Sequence, residues 1–525
     1  MADKGGLLEA QQALSSLISS KRRSSGENWS HAFDMMASYL QRLGLDRELH
    51  KLSVIHIAGT KGKGSTAAMV ENMLRQCGYT TGLFTSPHLM DVRERIRING
   101  ELVDEATFLR NFWSAFNNFS DGSTPESPGM PAYFRFLTLL GLKIFLEQNV
   151  DVVILEVGIG GRLDATNCIR SPAVCGVSPL GFDHMDLLGH TLPEIAREKA
   201  GIFKAGRPAI TVPQPADAAA ALEERAAVAG ASLSIAPSLD TYADGTGSPL
   251  HIGLPGAHQR VNASLAIALA RAWEEQRAAA SPSTPVSARI EQLARCQLPS
   301  EYLRGLATVH WPGRGQIVHD PETTEAAPDS ARLSFYLDGA HTAESTAVCA
   351  DWFADCAAAW KTDAATTRHI LVFNCQEERS PENLLTPLAR VLAQRAVPIH
   401  HAFFVPPNSS YGKLGAREGP AELTWQSRLQ AVWDSLPRTR AIALTGEPGA
   451  APPLTLGKAA AATLPSASSG KSVLPCSAVL PTLQSTVDLL RKAARESPTV
   501  RFKVLVTGSL YMVGDVLKML GVCAR

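Results

Sequence analysis

The sequence predicts an α/β protein of two domains: an N-terminal P-loop domain built on a doubly wound parallel sheet, and a smaller Rossmann-like C-terminal domain. Three observations predict it. Short apolar runs alternate with segments of helical period along both halves, which is the pattern of a mostly parallel sheet. The run 54–58 ends in Gly59-Thr-Lys-Gly-Lys-Gly-Ser-Thr66, after which Met69, Val70, Met73, Leu74 and Cys77 recur at helical spacing. At 525 residues the chain exceeds what one core accommodates. The turn Trp311-Pro-Gly-Arg314 divides it into 1–311 and 312–525.

In chain order, residues 1–50 look helical, with a helix over 29–43. After the glycine turn and its helix, 80–84 reads as a strand. The segment 85–100 is polar and charged and reads as a loop with a hairpin-like end. In it Arg93, Arg95 and Arg97 alternate with acids, as a solvated surface or an anionic-substrate site would. Helices are expected over 104–118 and 132–148. A buried strand at 151–155 ends at Glu156, and Gly158-Ile-Gly-Gly161 makes a close turn. A strand at 174–178 leads to Asp183 and His184. A helix then carries Glu194, Arg197, Glu198 and Lys199, and 208–212 is a further strand. Residues 213–255 are alanine-rich and leave helix and loop both open. A helix opens at His258, and 275–300 combines a Ser/Pro stretch with a short helix. In the second half, 334–337 is a strand ending in Asp338-Gly-Ala-His341. A helix runs to about residue 360, 369–373 and 504–506 are strands, and a closing helix follows Thr507-Gly-Ser509. Residues 443–475, rich in Ala, Pro, Ser and Gly, read as a mobile insertion.

Strand, glycine turn and helix N-terminus make a phosphate cradle. Glycines let backbone N–H groups approach phosphate oxygens, and the helix start supplies unpaired donors and a positive dipole end. Lys63 is placed against the outer phosphates, and Ser65 or Thr66 against a metal ion. The spacing departs from the general P-loop: Gly64 separates Lys63 from Ser65, and Gly59 lies closer to the lysine than that pattern asks. An acid after an apolar strand, as Glu156 is, is the expected metal partner downstream of such a loop.

Composition narrows the class. Apolar residues make up 45% and charged residues 19%, as in a globular protein. Formal net charge is zero, which argues against a nucleic-acid partner. No apolar run is long enough for an integral membrane segment. The nine cysteines form no CxxC pair; Cys349 and Cys356 share a helical face, which reads as packing. That usage suits a reducing compartment. Residues 1–26 hold Lys21-Arg22-Arg23 and several serines but also Asp3 and Glu9, which argues against an acid-free transit peptide. The cytoplasm is the expected location, with mitochondria as a second.

Several words then agree on one family. Ala58-Gly-Thr-Lys-Gly-Lys-Gly-Ser65, Thr85-Ser-Pro-His-Leu89, Arg93-Glu-Arg-Ile-Arg-Ile-Asn99, Glu156-Val-Gly-Ile-Gly-Gly-Arg-Leu-Asp-Ala-Thr-Asn167, Asp183-His184 and Lys199-Ala-Gly-Ile202 resemble folylpolyglutamate synthases of the Mur-ligase superfamily. So do Trp311-Pro-Gly-Arg314, Leu337-Asp-Gly-Ala-His-Thr342 and Val506-Thr-Gly-Ser-Leu510, whose long forms resemble the eukaryotic type. Two departures stand out: Lys61 replaces the family's asparagine, and Pro179 is unusual before Asp183.

The resemblance implies ATP-dependent joining of L-glutamate to the γ-carboxyl of tetrahydrofolate and its polyglutamates, through an acyl phosphate. It implies ATP and Mg²⁺, admits a monovalent cation such as K⁺, and leads us to expect a monomer. Gly59, Thr60, Gly62, Lys63, Gly64, Ser65 and Thr66 are expected to hold phosphates; Gln259 and Asn262 lie on the adenine side, with N-capping of their helix as the alternative. Ser86, Glu156 and His184 are the implied Mg²⁺ ligands, although His184 could instead only hydrogen-bond Asp183. Lys199 resembles the family lysine that can be carbamylated; a salt bridge with Glu198 or Glu194 is the other reading. Arg314 is implied at the phosphates, Asp338 at the ribose and His341 beside it or the incoming glutamate. Lys63, Lys199, Arg314 and His341 form the expected catalytic set. Arg379 reads equally as a glutamate contact or a partner of Glu377 or Glu378. His56, inside a strand, reads as a satisfied core residue. The alternatives are dihydrofolate synthase, a bifunctional enzyme, and a P-loop nucleotide binder without ligase activity.

Overall fold

The computed structural model describes residues 6–18, 27–121, 129–243, 250–280, 284–324, 331–359, 366–409, 423–436 and 476–522. The expected insertion at 443–475, the basic run at 21–23 and Cys523 lie outside the described residues. The chain forms two compact units, Met1–Trp311 and Pro312–Ala524.

In the first unit, eight strands form one sheet: β1 (Val54–Ala58), β2 (Thr81–Phe84), β3 (Ile96–Ile98), β4 (Glu101–Leu102), β5 (Val152–Glu156), β6 (Val174–Val177), β7 (Pro208–Thr211) and β8 (Ser232–Ile235). Their order is β4-β3-β2-β5-β1-β6-β7-β8, parallel except that β3 runs antiparallel to both of its neighbours, β2 and β4. β1 and β5 are buried at every position, as strands covered on both faces must be, which is why they read as unbroken apolar runs. The chain leaves β1 toward β2 and β5, then crosses to β6, so the order reverses beside β1. Open α/β sheets bind ligands at the carboxyl ends of strands flanking such a reversal. The pairs Ile57↔Glu156 and Ala58↔Val177 bring the ends of β5 and β6 level with the glycine loop.

Helix Lys63–Gln76 covers one face, packing Val70, Met73 and Leu74 among Leu265, Trp273, Tyr302 and Leu306. The other face buries Phe84 with Phe108, Phe112, Phe136 and Phe145 from helices Glu105–Ser120 and Tyr133–Glu147. The alanine-rich stretch resolves into helix Ala216–Ala229 and strand β8. Alanine is the best helix former but contrasts little with its polar neighbours, so the period is faint; Ala218, Ala221, Leu222 and Ala226 nonetheless bury one stripe. Helix Ser300–Thr308 also has little apolar signal. Gly305 lets its backbone approach Met73, whose Cα lies 2.6 Å from where a Cβ on Gly305 would stand. The expected N-terminal helices are Leu7–Ser16 and Glu27–Arg42.

In the second unit six strands run in the order β13-β12-β11-β14-β10-β9: β9 (Gln316–His319), β10 (Leu333–Leu337), β11 (Thr366–Phe373), β12 (His401–Phe404), β13 (Ser477–Val479) and β14 (Val500–Thr507). Only the edge strand β9 is antiparallel. Helices Ala343–Ala359, Pro381–Gln394 and Thr424–Ser435 pack Phe353, Leu385, Leu388 and Leu429 into one core, which also takes Cys349 and Cys356. The described cysteines are all free thiols.

Candidate active site

The glycine loop leaves β1 and enters helix Lys63–Gln76 through Gly62, whose φ of 81° favours glycine. Shape demands glycine there as well: Asn262 Oδ1 lies 2.1 Å from where a Cβ would stand. The helix closes its first turn with Thr66 N donating to Gly62 O at 2.8 Å, so the N–H groups ahead of it are those a helix leaves for a ligand. The turn after β6 clamps the loop. Pro179 O accepts the N–H groups of Thr60 and Lys61 at 3.1 and 3.0 Å, and Ser178 Oγ donates to Lys61 O at 2.7 Å. Neither departure from the family pattern disturbs the cradle: Pro179 serves through its carbonyl, and Lys61 Nζ faces Asp183 Oδ2 at 3.7 Å.

Lys199 is buried beneath this loop and donates to Gly59 O at 2.7 Å. Burial, helped by the Lys63 and Lys61 ammoniums, holds its amine well below the usual lysine range. The salt-bridge reading of Lys199 falls. Glu198 pairs with Arg162 at 2.9 Å, and Glu194 closes a capping box with Thr191.

Glu156 ends β5, buried, and its Oε2 accepts the N–H of Ser86 at 2.9 Å. Both its oxygens lie 3.6 Å from where a Cβ on Gly64 would stand, so the carboxylate edges the phosphate loop. The structure therefore brings Ser86, Glu156 and the loop together. His184 is exposed, has a φ of 51°, and heads the short helix Met185–Leu188; its backbone N–H donates to Asp183 Oδ1 at 3.0 Å. Among the described residues, no cluster of three or more His, Cys, Asp or Glu is placed to hold a metal. A lone carboxylate beside a serine and an unpartnered buried hydroxyl, Thr66 Oγ1, fits a hard divalent cation that keeps water and phosphate oxygens as its other ligands.

Gln259 and Asn262 lie inside helix His258–Ala280, not at its cap, so the capping alternative fails. Both are buried, and Asn262 Nδ2 donates to Gln259 Oε1 at 2.9 Å, which aims Asn262 Oδ1 at Gly62. Arg93 pairs with Asp91 at 2.8 Å. Arg95 and Arg97 are not solvated surface. Arg95 is buried and donates to His88 Nδ1, and Arg97 is buried with its Nε unpartnered. His56 is only half satisfied: Nε2 meets Thr166 Oγ1 at 2.9 Å, Nδ1 meets nothing, and burial pushes its pKa down to about 3.

In the second unit, Arg314, Asp338 and His341 gather at the carboxyl end of β10. Asp338 accepts the N–H groups of Gly315 and Ala340, each at 2.9 Å, which ties the turn carrying Arg314 to the strand end. Burial raises the Asp338 pKa, and the Arg314 guanidinium pulls it back. His341 Nδ1 lies 2.8 Å from Gly339 O; a carbonyl only accepts, so Nδ1 carries a proton and Nε2 is the nitrogen left to face a ligand. Arg379 stands in the turn after β11, its backbone N–H donating to Gln376 O at 3.0 Å. In the sequence Trp311 reads only as part of a turn. Its indole in fact lies beside Gly64, with the Arg97 guanidinium 5.4 Å from the ring centroid. The signal available was a tryptophan directly before Pro-Gly.

Residues 57–270 match the Mur ligase middle domain. A folylpolyglutamate synthase of Arabidopsis thaliana is 41% identical over 99% of this chain and 90% of its own length. The mitochondrial folylpolyglutamate synthase of Homo sapiens is 37% identical over 93% of this chain and 86% of its own. Among solved structures, the Mycobacterium tuberculosis folylpolyglutamate synthase complexed with ADP superposes with a TM-score of 0.68 at 21% identity, covering 98% of each chain. Identity of this order, sustained through both units and nearly end to end, decides the assignment: the chain belongs to the folylpolyglutamate synthase family.

Proposed function

We propose that this protein adds L-glutamate to the γ-carboxyl of tetrahydrofolate and of its polyglutamates, with cleavage of ATP to ADP and phosphate. The observation that carries the reading is the cradle at the end of β1: Gly62 pinned against Asn262, with Glu156 and Ser86 at its edge. A carboxylate is a poor electrophile, so its oxygen first attacks the γ-phosphorus and displaces ADP. The glutamate amine, having lost a proton, attacks the carbonyl carbon of that acyl phosphate. The tetrahedral intermediate collapses and expels phosphate. Positioning and charge neutralisation supply most of the acceleration.

Lys63 and the first N–H groups of its helix hold the phosphates, with Gln259 and Asn262 on the nucleotide side. Ser86, Glu156 and His184 would hold a divalent metal, Mg²⁺ in this reading, which neutralises phosphate charge when bound; a K⁺ ion is a further occupant. Lys199 accepts CO₂: its neutral amine forms an N–C bond and releases a proton, giving a carbamate. Its burial and suppressed basicity support this role. Arg314 neutralises the phosphoryl group, Asp338 orients the Arg314 turn and the ribose, and His341 offers Nε2 to the incoming glutamate. The protein acts as a monomer, in the cytoplasm and in mitochondria. No helix among the described residues is long and apolar enough to cross a membrane.

The test is mass analysis of products from ATP, glutamate and either tetrahydrofolate or dihydropteroate. Successive glutamate additions to tetrahydrofolate are expected. Addition to dihydropteroate alone would reverse the acceptor, and ADP release with no folate or pteroate dependence would remove ligase activity.

A further inference from the structure

We propose that the indole N–H of Trp311 is a phosphate ligand of the bound nucleotide, held in place by Arg97. The inference rests on the nucleotide reading above. Trp311 Nε1 lies 3.3 Å from where a Cβ on Gly64 would stand, and both Glu156 oxygens lie 3.6 Å from the same point. Side chains of a helix lean toward its N-terminus, so that point lies on the phosphate side of the first turn. An N–H donor and a carboxylate thus edge one small space that glycine leaves open. An alanine at 64 would stand in it.

The indole N–H makes no hydrogen bond among the described residues, although Trp311 is half-buried and packed against the core under helix Lys63–Gln76. Tryptophan in such a setting usually finds an acceptor. Glu156 is already engaged by the Ser86 N–H. A phosphate oxygen supplies the missing acceptor, charged and therefore strong.

Arg97 explains how the ring stays put. Its guanidinium lies 5.4 Å from the ring centroid, its Nη1 donates to Gly100 O at 3.1 Å, and its Nε is buried without a partner. Among the described residues no carboxylate reaches ion-pair distance of it, the nearby acids being Glu94, Glu71 and Glu101. Burial penalises the Arg97 guanidinium, Glu94, Glu71 and Glu101 offset that only from beyond ion-pair distance, and the face of an indole offsets a further part while fixing the plane of the ring. Arg97 is therefore a positioning residue, acting through Trp311.

The experiment uses the full chain labelled with ¹⁵N at tryptophan indoles. The Trp311 signal is assigned by its loss in Trp311→Phe, and a non-hydrolysable ATP analogue is titrated while calorimetry reports its binding. We expect a downfield shift of the Trp311 N–H on binding. Trp311→Phe should bind the analogue about tenfold more weakly, since it loses one charge-assisted hydrogen bond but keeps the ring. Arg97→Met should broaden or displace the Trp311 signal before nucleotide is added and weaken binding less than Trp311→Phe does. Analogue binding that leaves the Trp311 signal unmoved, or normal affinity in Trp311→Phe, overturns the proposal and leaves the nucleotide site intact. Failure of the wild-type chain to bind the analogue removes the nucleotide reading itself, and the role of Trp311 with it.

Discussion

The carboxyl ends of β1 and β10 are the same device put to opposite uses. Each is a buried parallel strand running into a glycine-containing turn and then a helix. At β1 the buried ionisable group is a lysine, Lys199, and it binds a carbonyl, Gly59 O. The N–H groups of the helix start stay available to an anion. At β10 the group is a half-buried carboxylate, Asp338, and it takes up two N–H groups, those of Gly315 and Ala340. That edge spends its donors on itself and in return fixes the side chains of Arg314 and His341. The lesson is that strand–turn–helix topology marks where chemistry is placed. Whether the group beneath the turn donates, as Lys199 does, or accepts, as Asp338 does, decides whether backbone or side chains meet the ligand.

The largest expected effect comes from breaking the first edge. Gly62→Ala forces a Cβ against Asn262 Oδ1 in a backbone conformation that disfavours it, and should weaken nucleotide binding by at least about a hundredfold in calorimetry. Affinity within threefold of wild type would show that the cradle tolerates distortion. Lys63→Ala should lower turnover by about three orders of magnitude while the chain stays folded. The matching change at the second edge, Gly339→Ala, is gentler. Its Cβ meets Leu510 Cδ2 and Cγ and Arg314 Nη1, side-chain atoms that a rotamer change can move, so turnover should fall about tenfold with nucleotide affinity little changed. Equal losses at the two edges would abolish the contrast.

The pH dependence of stability should run in opposite directions. The folded-state pKa of Lys199 lies below the ordinary 10.5, so in that window the unfolded chain holds a proton that the folded chain lacks; stability rises as pH climbs through it. The folded-state pKa of Asp338 lies above the ordinary 3.8, so in that window the folded chain holds the extra proton, and stability falls as pH climbs through it. Denaturant melts across both ranges should lose the alkaline slope in Lys199→Met and the acid slope in Asp338→Asn. A slope unchanged in either variant would detach that group from its edge. The smallest effect is at Thr66, whose buried Oγ1 has no partner. Thr66→Val should leave the ligand-free protein as stable or stabilise it by about 1 kcal/mol. A clear drop in melting temperature would mean the hydroxyl is satisfied in solution.

Much of this was legible in the residues. The apolar runs of β1, β5, β10 and β14 stood out because strands buried on both faces leave no polar alternation to interpret. The glycine loop was legible because glycine is demanded twice there, by the backbone angle at Gly62 and by close approach at Gly59 and Gly62. The elements 216–229 and 300–308 were not, because alanine and small polar residues carry little periodic contrast. The partners of Lys199, Asn262, Arg97 and Trp311 were not legible either. The contacts Lys199–Gly59, Asn262–Gly62, Arg97–Trp311 and Trp311–Gly64 join residues far apart in sequence, and the nearby Glu198 and Glu194 that suggested a salt bridge for Lys199 were the wrong partners.

The order of its words and the spacing of its apolar residues determined, without coordinates, that this chain is a two-domain α/β protein with a phosphate loop in the first half. Local chemistry is enough for that, because turns, strands and helix starts are each set within a few residues. Only the tertiary structure decided that Lys199 lies under the loop and that Trp311 presents its N–H beside Gly64. Packing brings such groups together across scores or hundreds of residues, and burial then sets how they behave.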